Sequence, residues 1–264
     1  MKNNFAHGTT EWASHNFNIC NGCSNDCLYC YAKSMAIRFK RNSAANWHSE
    51  QIITTQVTKE HKLYDGRIMF PSSHDITPNN LGYVREVLEN LLIKGNDILI
   101  VTKPNYHCIT ELCNSLKRYK DQITFRFSIG SANNDVLKFW EPNAPDLTHR
   151  YNSIKLASES EYRIGISIEP FLDNTVVDII ECLRWFVNDS IWIGKANQLR
   201  LHITNNGHSD DITKQRVDEL INLYNSDYKF QLYEKYKNDP LIKWKDSLKK
   251  DFNLERPIVK GLDI

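Results

Sequence analysis

The sequence lacks any apolar run approaching the roughly 18 residues of a membrane span, and it lacks an excess of either charge. Lys and Arg total 33 against 32 Asp and Glu, a formal net charge of +1. Whole-molecule attraction to nucleic acid or anionic lipid is therefore not implied, although a local patch is left open. The opening Met1-Lys2-Asn3-Asn4 leads into no apolar segment. No secretory signal is visible, so the expected compartment is the cytoplasm, with no membrane partner. No low-complexity linker or internal repeat stands out. Hydrophobic residues make up 41% of 264, enough for a sizeable core, which excludes a disordered chain or a collagen-like fibre.

What is present is an alternation of strand-like and helix-like stretches. Strands are expected near Phe17–Ile19 and at Arg67–Phe70, Asp97–Thr102, Ile123–Ser128, Arg163–Ile168 and Ser190–Ile193, and Leu199–Thr204 extends the sheet. Between them, Leu81–Leu92 places Leu81, Val84, Val87, Leu88, Leu91 and Leu92 at helical spacing, with Gly95 as the stop. Further helices fit Cys108–Leu116, a segment from Leu147 with Asp146 as its N-cap, and Val176–Phe186. Such alternation argues for parallel βαβ units with right-handed crossovers. About six units are too few for a closed eight-fold barrel. The class is α/β, and one domain is the better reading. In the tail from Asp227 to Lys250, aromatics interleave with lysines. They are read as terminal helices packing on the barrel, with base stacking and phosphate contact as the alternative.

Four of the seven cysteines, Cys20, Cys23, Cys27 and Cys30, lie within eleven residues. Clustered thiols beside Gly, Ser, Asn and Asp point to metal rather than to disulfides or core packing. Cys23-x3-Cys27-x2-Cys30 suits an iron–sulfur cluster held by three thiolates, one iron being left open for a ligand. A structural zinc site using all four cysteines is the alternative. Zinc ribbons, however, place about 15–20 residues between their C-x2-C pairs, and here three intervene. An electron carrier with a fully ligated cluster, or a non-enzymatic zinc module that binds a partner, are the competing functional classes.

The string Gly22-Cys23-Ser24-Asn25-Asp26-Cys27-Leu28-Tyr29-Cys30-Tyr31-Ala32 resembles the signature of the radical S-adenosylmethionine (radical SAM) superfamily, over roughly Ala13 to Leu201. Within it the chain is most similar to the spore photoproduct lyase-like group. The tracts that carry this are the tyrosines flanking Cys30, Ser72-Ser73-His74-Asp75-Ile76, Thr102-Lys103, and Glu141-Pro142-Asn143-Ala144-Pro145 followed by Arg150. The resemblance implies an α/β fold built as a partial (β/α)6 TIM-type barrel, with a core over 1–205 and a C-terminal helical extension over 206–264 packed on it. It implies a [4Fe–4S] cluster on Cys23, Cys27 and Cys30, and S-adenosylmethionine bound at Tyr29, Tyr31, Asp75, Lys103 and Ser128. It also implies reductive cleavage to a 5′-deoxyadenosyl radical that abstracts hydrogen, and an electron donor such as flavodoxin or ferredoxin. The substrate it favours is a nucleic acid or nucleotide, with a peptide or small metabolite as the alternative.

His74 and Glu169, polar residues at strand ends, are candidates for substrate contact; a turn hydrogen bond or a surface charge are their plainer roles. The sequence departs from the group in two ways. The turn Phe70-Pro71-Ser72-Ser73-His74-Asp75 carries no cysteine where the lyases place their hydrogen-atom donor, and the Gly-Gly-Glu step found elsewhere in the superfamily is missing. Cys108 and Cys113 read as the apolar side of a helix rather than as substitutes. Cys20 is either a bystander or an alternative ligand.

Overall fold

The computed structural model describes residues 5–264. The opening residues 1–4, on which the secretory-signal expectation rests, lie outside them. Its strands are β1 His15–Asn16, β2 Cys20–Asn21, β3 Gln51–Ile52, β4 Ile68–Phe70, β5 Ile98–Thr102, β6 Ile123–Ser128, β7 Arg163–Ile168, β8 Ile191–Ile193 and β9 Ile242–Trp244. Its helices are α1 Tyr31–Arg38, α2 Thr54–Val57, α3 Leu81–Ile93, α4 Tyr106–Ser115, α5 Asn134–Trp140, α6 Leu147–Glu159, α7 Val176–Leu183, α8 Leu199–Asn205, α9 Asp211–Asn225, α10 Tyr228–Tyr236 and α11 Asp246–Lys249.

Strands pair in the order β1-β4-β5-β6-β7-β8-β9, and every pairing is parallel. Each strand thus lies beside the next one of the wall in the chain, as short right-handed crossovers dictate. The result is an open, partial TIM-type barrel with helices outside. Strands β2 and β3 form a separate antiparallel pair.

Alternation sorts the residues of the wall between two faces. In β5, Ile98 and Ile100 join the large core beneath the helices, while Leu99 and Val101 join Met69, Trp192 and Trp12 on the concave face. Helix α3 buries all six of its predicted apolar positions. Asp146 caps α6 by accepting the His149 N–H at 2.9 Å. Burying each such Leu or Ile contributes about 1.5–3 kcal/mol.

Among the described residues no helix is long and apolar enough to cross a membrane. The concave face also holds Arg126, fully buried in register between Val101 and Gly165. Its guanidinium bonds Asp189 at 2.7 Å and Asp263 at 3.1 Å and lies against the rings of Trp12 and Trp192. The two ends of the described chain meet here: Ala6 N–H donates to Pro257 O, Gly261 N–H to Thr10 O and Asp263 N–H to Glu11 O.

The structure corrects three expectations. The first strand is His15–Asn16, pairing with Ile68–Met69, and not Phe17–Ile19, which leads out of it into the cysteine loop. Leu199–Thr204 is not a strand. Leu-Arg-Leu-His-Ile-Thr alternates in sequence, yet the segment buries Leu199, His202 and Ile203, a helical i, i+3, i+4 set, and forms α8. The tail contributes a strand as well as helices, because β9 adds a seventh member to the sheet beside β8. Its aromatics pack as expected: Tyr233 stacks on Phe252 at 4.5 Å, with Trp244 and Phe230 edge-on to the same ring. Lys229 pairs with Asp251 at 2.8 Å and Lys237 with Glu234 at 2.6 Å.

Candidate cluster and cofactor site

The loop between β2 and α1 is wound by its own backbone. Asp26 N–H donates to Cys23 O and Cys30 N–H to Cys27 O, and Asp26 itself stands at φ 42°. Cys30 caps α1, its Sγ accepting the Lys33 N–H at 3.3 Å. Buried Lys33 reaches back to the Asp26 carboxylate at 2.7 Å. Gly22, at φ +124°, makes the entry turn, where a Cβ would meet Ser49 O at 2.2 Å and Trp47 O at 2.7 Å. Gly22→Ala is accordingly expected to cost about 2 kcal/mol and to lower the iron retained after reconstitution. Wild-type iron content and melting temperature in that variant would show the turn to be dispensable.

Glu50 fastens the loop from outside. It accepts from Ser24 N–H at 3.1 Å, Ser24 Oγ at 2.6 Å, Thr77 Oγ1 at 2.7 Å and Asn80 Nδ2 at 3.1 Å. Cys23 and Cys27 are buried and Cys30 half-buried, all as free thiols. Burial pushes each of these thiols up from its ordinary value, with the Asp75 carboxylate and the other two thiols adding to the effect at Cys23. A thiolate there needs a cation to compensate it, which is what bound iron supplies. Cys20 stands apart, packed in the main core with Phe17, Ile19 and Leu28. Burial, then the Glu50 carboxylate, push its thiol up to about 12. Among the described residues no three His, Cys, Asp or Glu side chains converge as a single ion would require. Three thiols on one wound loop, with Cys20 apart in the main core, are the donor chemistry of an iron–sulfur cluster rather than of a four-cysteine zinc site.

Beside the loop lies the turn after β4. Asp75 accepts from Asn25 Nδ2 at 2.9 Å, Thr102 Oγ1 at 2.9 Å and Lys103 N–H at 2.7 Å. Lys103 Nζ stands 3.5 Å from its other oxygen, and Asp75 N–H points at Cys23 Sγ at 3.4 Å. Burial opposes the charge on Asp75, but Lys103 and these donors outweigh it and hold the carboxyl below its usual range. Burial likewise opposes the charge on Lys103, yet Asp75 and the neighbouring Cys27, Tyr29 and Glu141 hold its ammonium well above the ordinary value. Asp75 thus clamps the cysteine loop to the end of β5.

On the other side, Tyr29 donates to Glu141, whose carboxylate pairs with Arg150. Arg150 also donates to Pro145 O at 2.8 Å and Ser128 O at 3.2 Å. Tyr29, Lys103, Asp75 and the end of β6 at Ser128 are therefore brought around the three thiols. Tyr31 is not: it is 62% exposed on α1, edge-on to His202 at 5.4 Å.

His74 is engaged in the turn after β4. Its Nε2 accepts the Ile19 N–H at 3.1 Å and its Nδ1 donates to Asp75 O at 3.0 Å, so both nitrogens serve the turn. Glu169 lies at the C-terminal end of β7, where its carboxylate stands 3.5 Å from buried Lys245. Burial pushes it up to about 7 against the pull of Lys245, with Glu11 and Asp246 adding to the rise. Cys108 and Cys113 are buried in α4, as their apolar spacing suggested. Sequence reasoning missed Glu50 and Asn25. Both act across the fold; Glu50 sits in no motif, and Asn25 stands inside the cysteine string without being one of its ligands.

The Radical SAM superfamily model matches residues 17–186. Protein ORF301 of Acidianus two-tailed virus is 26% identical over 197 residues, 69% of this chain and 64% of its own length. The chain thus spans under two thirds of that relative. A structure of spore photoproduct lyase complexed with dinucleoside spore photoproduct superposes with TM-score 0.55 at 13% identity, covering 88% of this chain and 76% of that one. SuiB of Streptococcus suis bound to S-adenosylmethionine superposes with TM-score 0.51 at 14% identity, covering 89% and 51%. With the family pattern running from the end of β1 past α7, over more than half of the chain, the chain belongs to the radical SAM superfamily.

Proposed function

We propose that the chain is an enzyme that binds a [4Fe–4S] cluster through Cys23, Cys27 and Cys30 and uses S-adenosylmethionine to abstract hydrogen from a nucleotide or nucleic-acid substrate. The observation that carries this reading is the three-thiol loop, wound by its own backbone and clamped through Asp75 to the end of β5. The chemistry such a cluster supplies when bound is one-electron reduction of S-adenosylmethionine, splitting it to methionine and a 5′-deoxyadenosyl radical. The residues around the loop do the holding. Three cysteines leave a cluster position open for the amino and carboxylate groups of S-adenosylmethionine, and the Lys103 ammonium offers that carboxylate a cation at the same place. Tyr29, fixed by Glu141, supplies an aromatic wall.

The nucleotide substrate is supported by the fold likeness to a lyase whose structure holds a dinucleoside lesion. A thiol-terminated reversal is not part of the proposal. Ser72 and Ser73 are both held by Asn18, and Cys108 and Cys113 are buried at 0% and 4% exposure.

The test is the electron paramagnetic resonance spectrum of anaerobically reconstituted, reduced protein with and without S-adenosylmethionine. A [4Fe–4S]⁺ signal that changes on addition is expected, followed by 5′-deoxyadenosine that gains deuterium from a deuterated oligonucleotide. An unchanged signal would mean an electron carrier. Zinc in place of iron would mean a binding module. Deuterium-free 5′-deoxyadenosine would overturn the nucleotide substrate alone.

A further inference from the structure

Between Asp26 and Glu50 the chain carries no acidic residue, but it carries Lys33, Arg38, Lys40, Arg41 and His48. Both bracketing acids are tied inward, Asp26 by Lys33 at 2.7 Å and Glu50 by Ser24, Thr77 and Asn80. Arg38, Lys40 and Arg41 are exposed, and among the described residues none of them pairs with a carboxylate. At their centre Phe39 is 58% exposed. The guanidinium carbons of Arg38 and Arg41 lie 5.8 and 5.7 Å from its ring centroid. An exposed aromatic ringed by arginines has the composition of an interface hot spot.

This face is the outer cover of the cysteine loop. Asn21 Nδ2 donates to Arg41 O at 3.0 Å, Asn42 Nδ2 reaches Asn21 O at 3.4 Å, and Cys23 N–H donates to Trp47 O at 2.8 Å. Helix α1, which ends at the patch, begins beside Cys30. Its eight residues span only about 12 Å.

We propose that Arg38, Phe39, Lys40 and Arg41 form the docking surface for a small acidic electron-carrier protein of the flavodoxin kind. This rests on the reading of the cysteine loop as an iron–sulfur site. Charge complementarity selects an acidic partner, and the exposed ring suits the apolar edge of a flavin within an acidic rim. Position selects a carrier over a nucleic acid. An electron has only to reach the loop from behind, whereas a nucleic-acid substrate has to present its reacting atom at the barrel mouth.

The experiment compares wild type with R38E/R41E and F39A, and with R118E in the turn before β6, at the opposite end of the strands, as a charge control. Cluster reduction is followed by stopped flow with flavodoxin hydroquinone and, separately, with dithionite. Binding of oxidised flavodoxin to the cluster-free protein is titrated as a second readout. At low salt R38E/R41E is expected to be reduced by flavodoxin at least ~10-fold more slowly and to bind it correspondingly weakly, with the difference closing as salt is added. The dithionite rate should stay within about twofold, and R118E should match wild type. Wild-type flavodoxin kinetics and binding in R38E/R41E would overturn the proposal. So would the loss of single-stranded oligonucleotide binding in that variant with flavodoxin unaffected, which would give the face to nucleic acid. Absence of iron, sulfide and visible cluster absorbance in the reconstituted wild type would instead sink the iron–sulfur reading, and this proposal with it.

Discussion

Cys27→Ala is expected to give a folded protein that holds no stoichiometric cluster and cleaves no S-adenosylmethionine. Cys27 is 5% exposed, and no structural hydrogen bond of the loop runs through its Sγ. The windings are carried instead by Asp26 N–H, Cys30 N–H and the Lys33–Asp26 pair. Removing one sulfur from a buried site costs about 1 kcal/mol, a small share of a domain's stability. The fold should therefore persist while the donor set drops from three thiols to two. The measurement is iron per chain after anaerobic reconstitution, alongside far-ultraviolet circular dichroism and 5′-deoxyadenosine production. Full iron content with wild-type cleavage in this variant would remove Cys27 from the site. Loss of circular dichroism signal would show that the thiol is structural.

Arg150→Met should produce the largest loss of stability away from the thiols. The side chain is fully buried and makes its bonds to Pro145 O, Ser128 O and the Glu141 carboxylate. Methionine fills much of the volume but leaves Glu141, 2% exposed, with the Tyr29 hydroxyl as its remaining partner. Breaking a buried pair from one side costs about 3–5 kcal/mol, because a charge is left uncompensated. For a chain of this size that corresponds to a fall of about 10 °C in melting temperature. Glu141→Gln in the same background removes the orphaned charge and should recover part of the loss. A single variant that melts within a degree or two of wild type would mean that water readily reaches Glu141 and that the pair holds nothing in place.

The thiols were readable in the sequence because the site's ligands sit on one short, wound loop. Local spacing and spatial arrangement then coincide. Asp75 and Lys103 are a different matter: each follows a strand, where polar residues are common, and only resemblance to a family singled them out. Their contact joins residues 28 positions apart through the parallel pairing of β4 with β5. Glu50, the fastener of the loop, lies in no motif, because its four donors come from two separate turns. The helix α8 misled for a physical reason. Its six-residue alternation satisfies a strand template, and only the neighbours it packs on, helices α1 and α9, decide which face is buried. Strand β9 is three residues among lysines, too short for periodicity to register. The parallel pairing of the six preceding strands was legible in the alternation of strand and helix, but their sequential order was not, because the same alternation also builds doubly wound sheets; the family resemblance supplied it.

The closure of the concave face bears on how the molecule assembles during synthesis. Because neighbours in the wall are also neighbours in the chain, strands can dock progressively as they emerge. Arg126, by contrast, enters the concave face with β6 and meets Asp189 only 63 residues later and Asp263 only 137 residues later. A nascent chain stalled between those points carries an under-neutralised guanidinium in its interior. The barrel is thus built in order, but cooperative locking waits for Asp263, far down the chain from the strand it closes on.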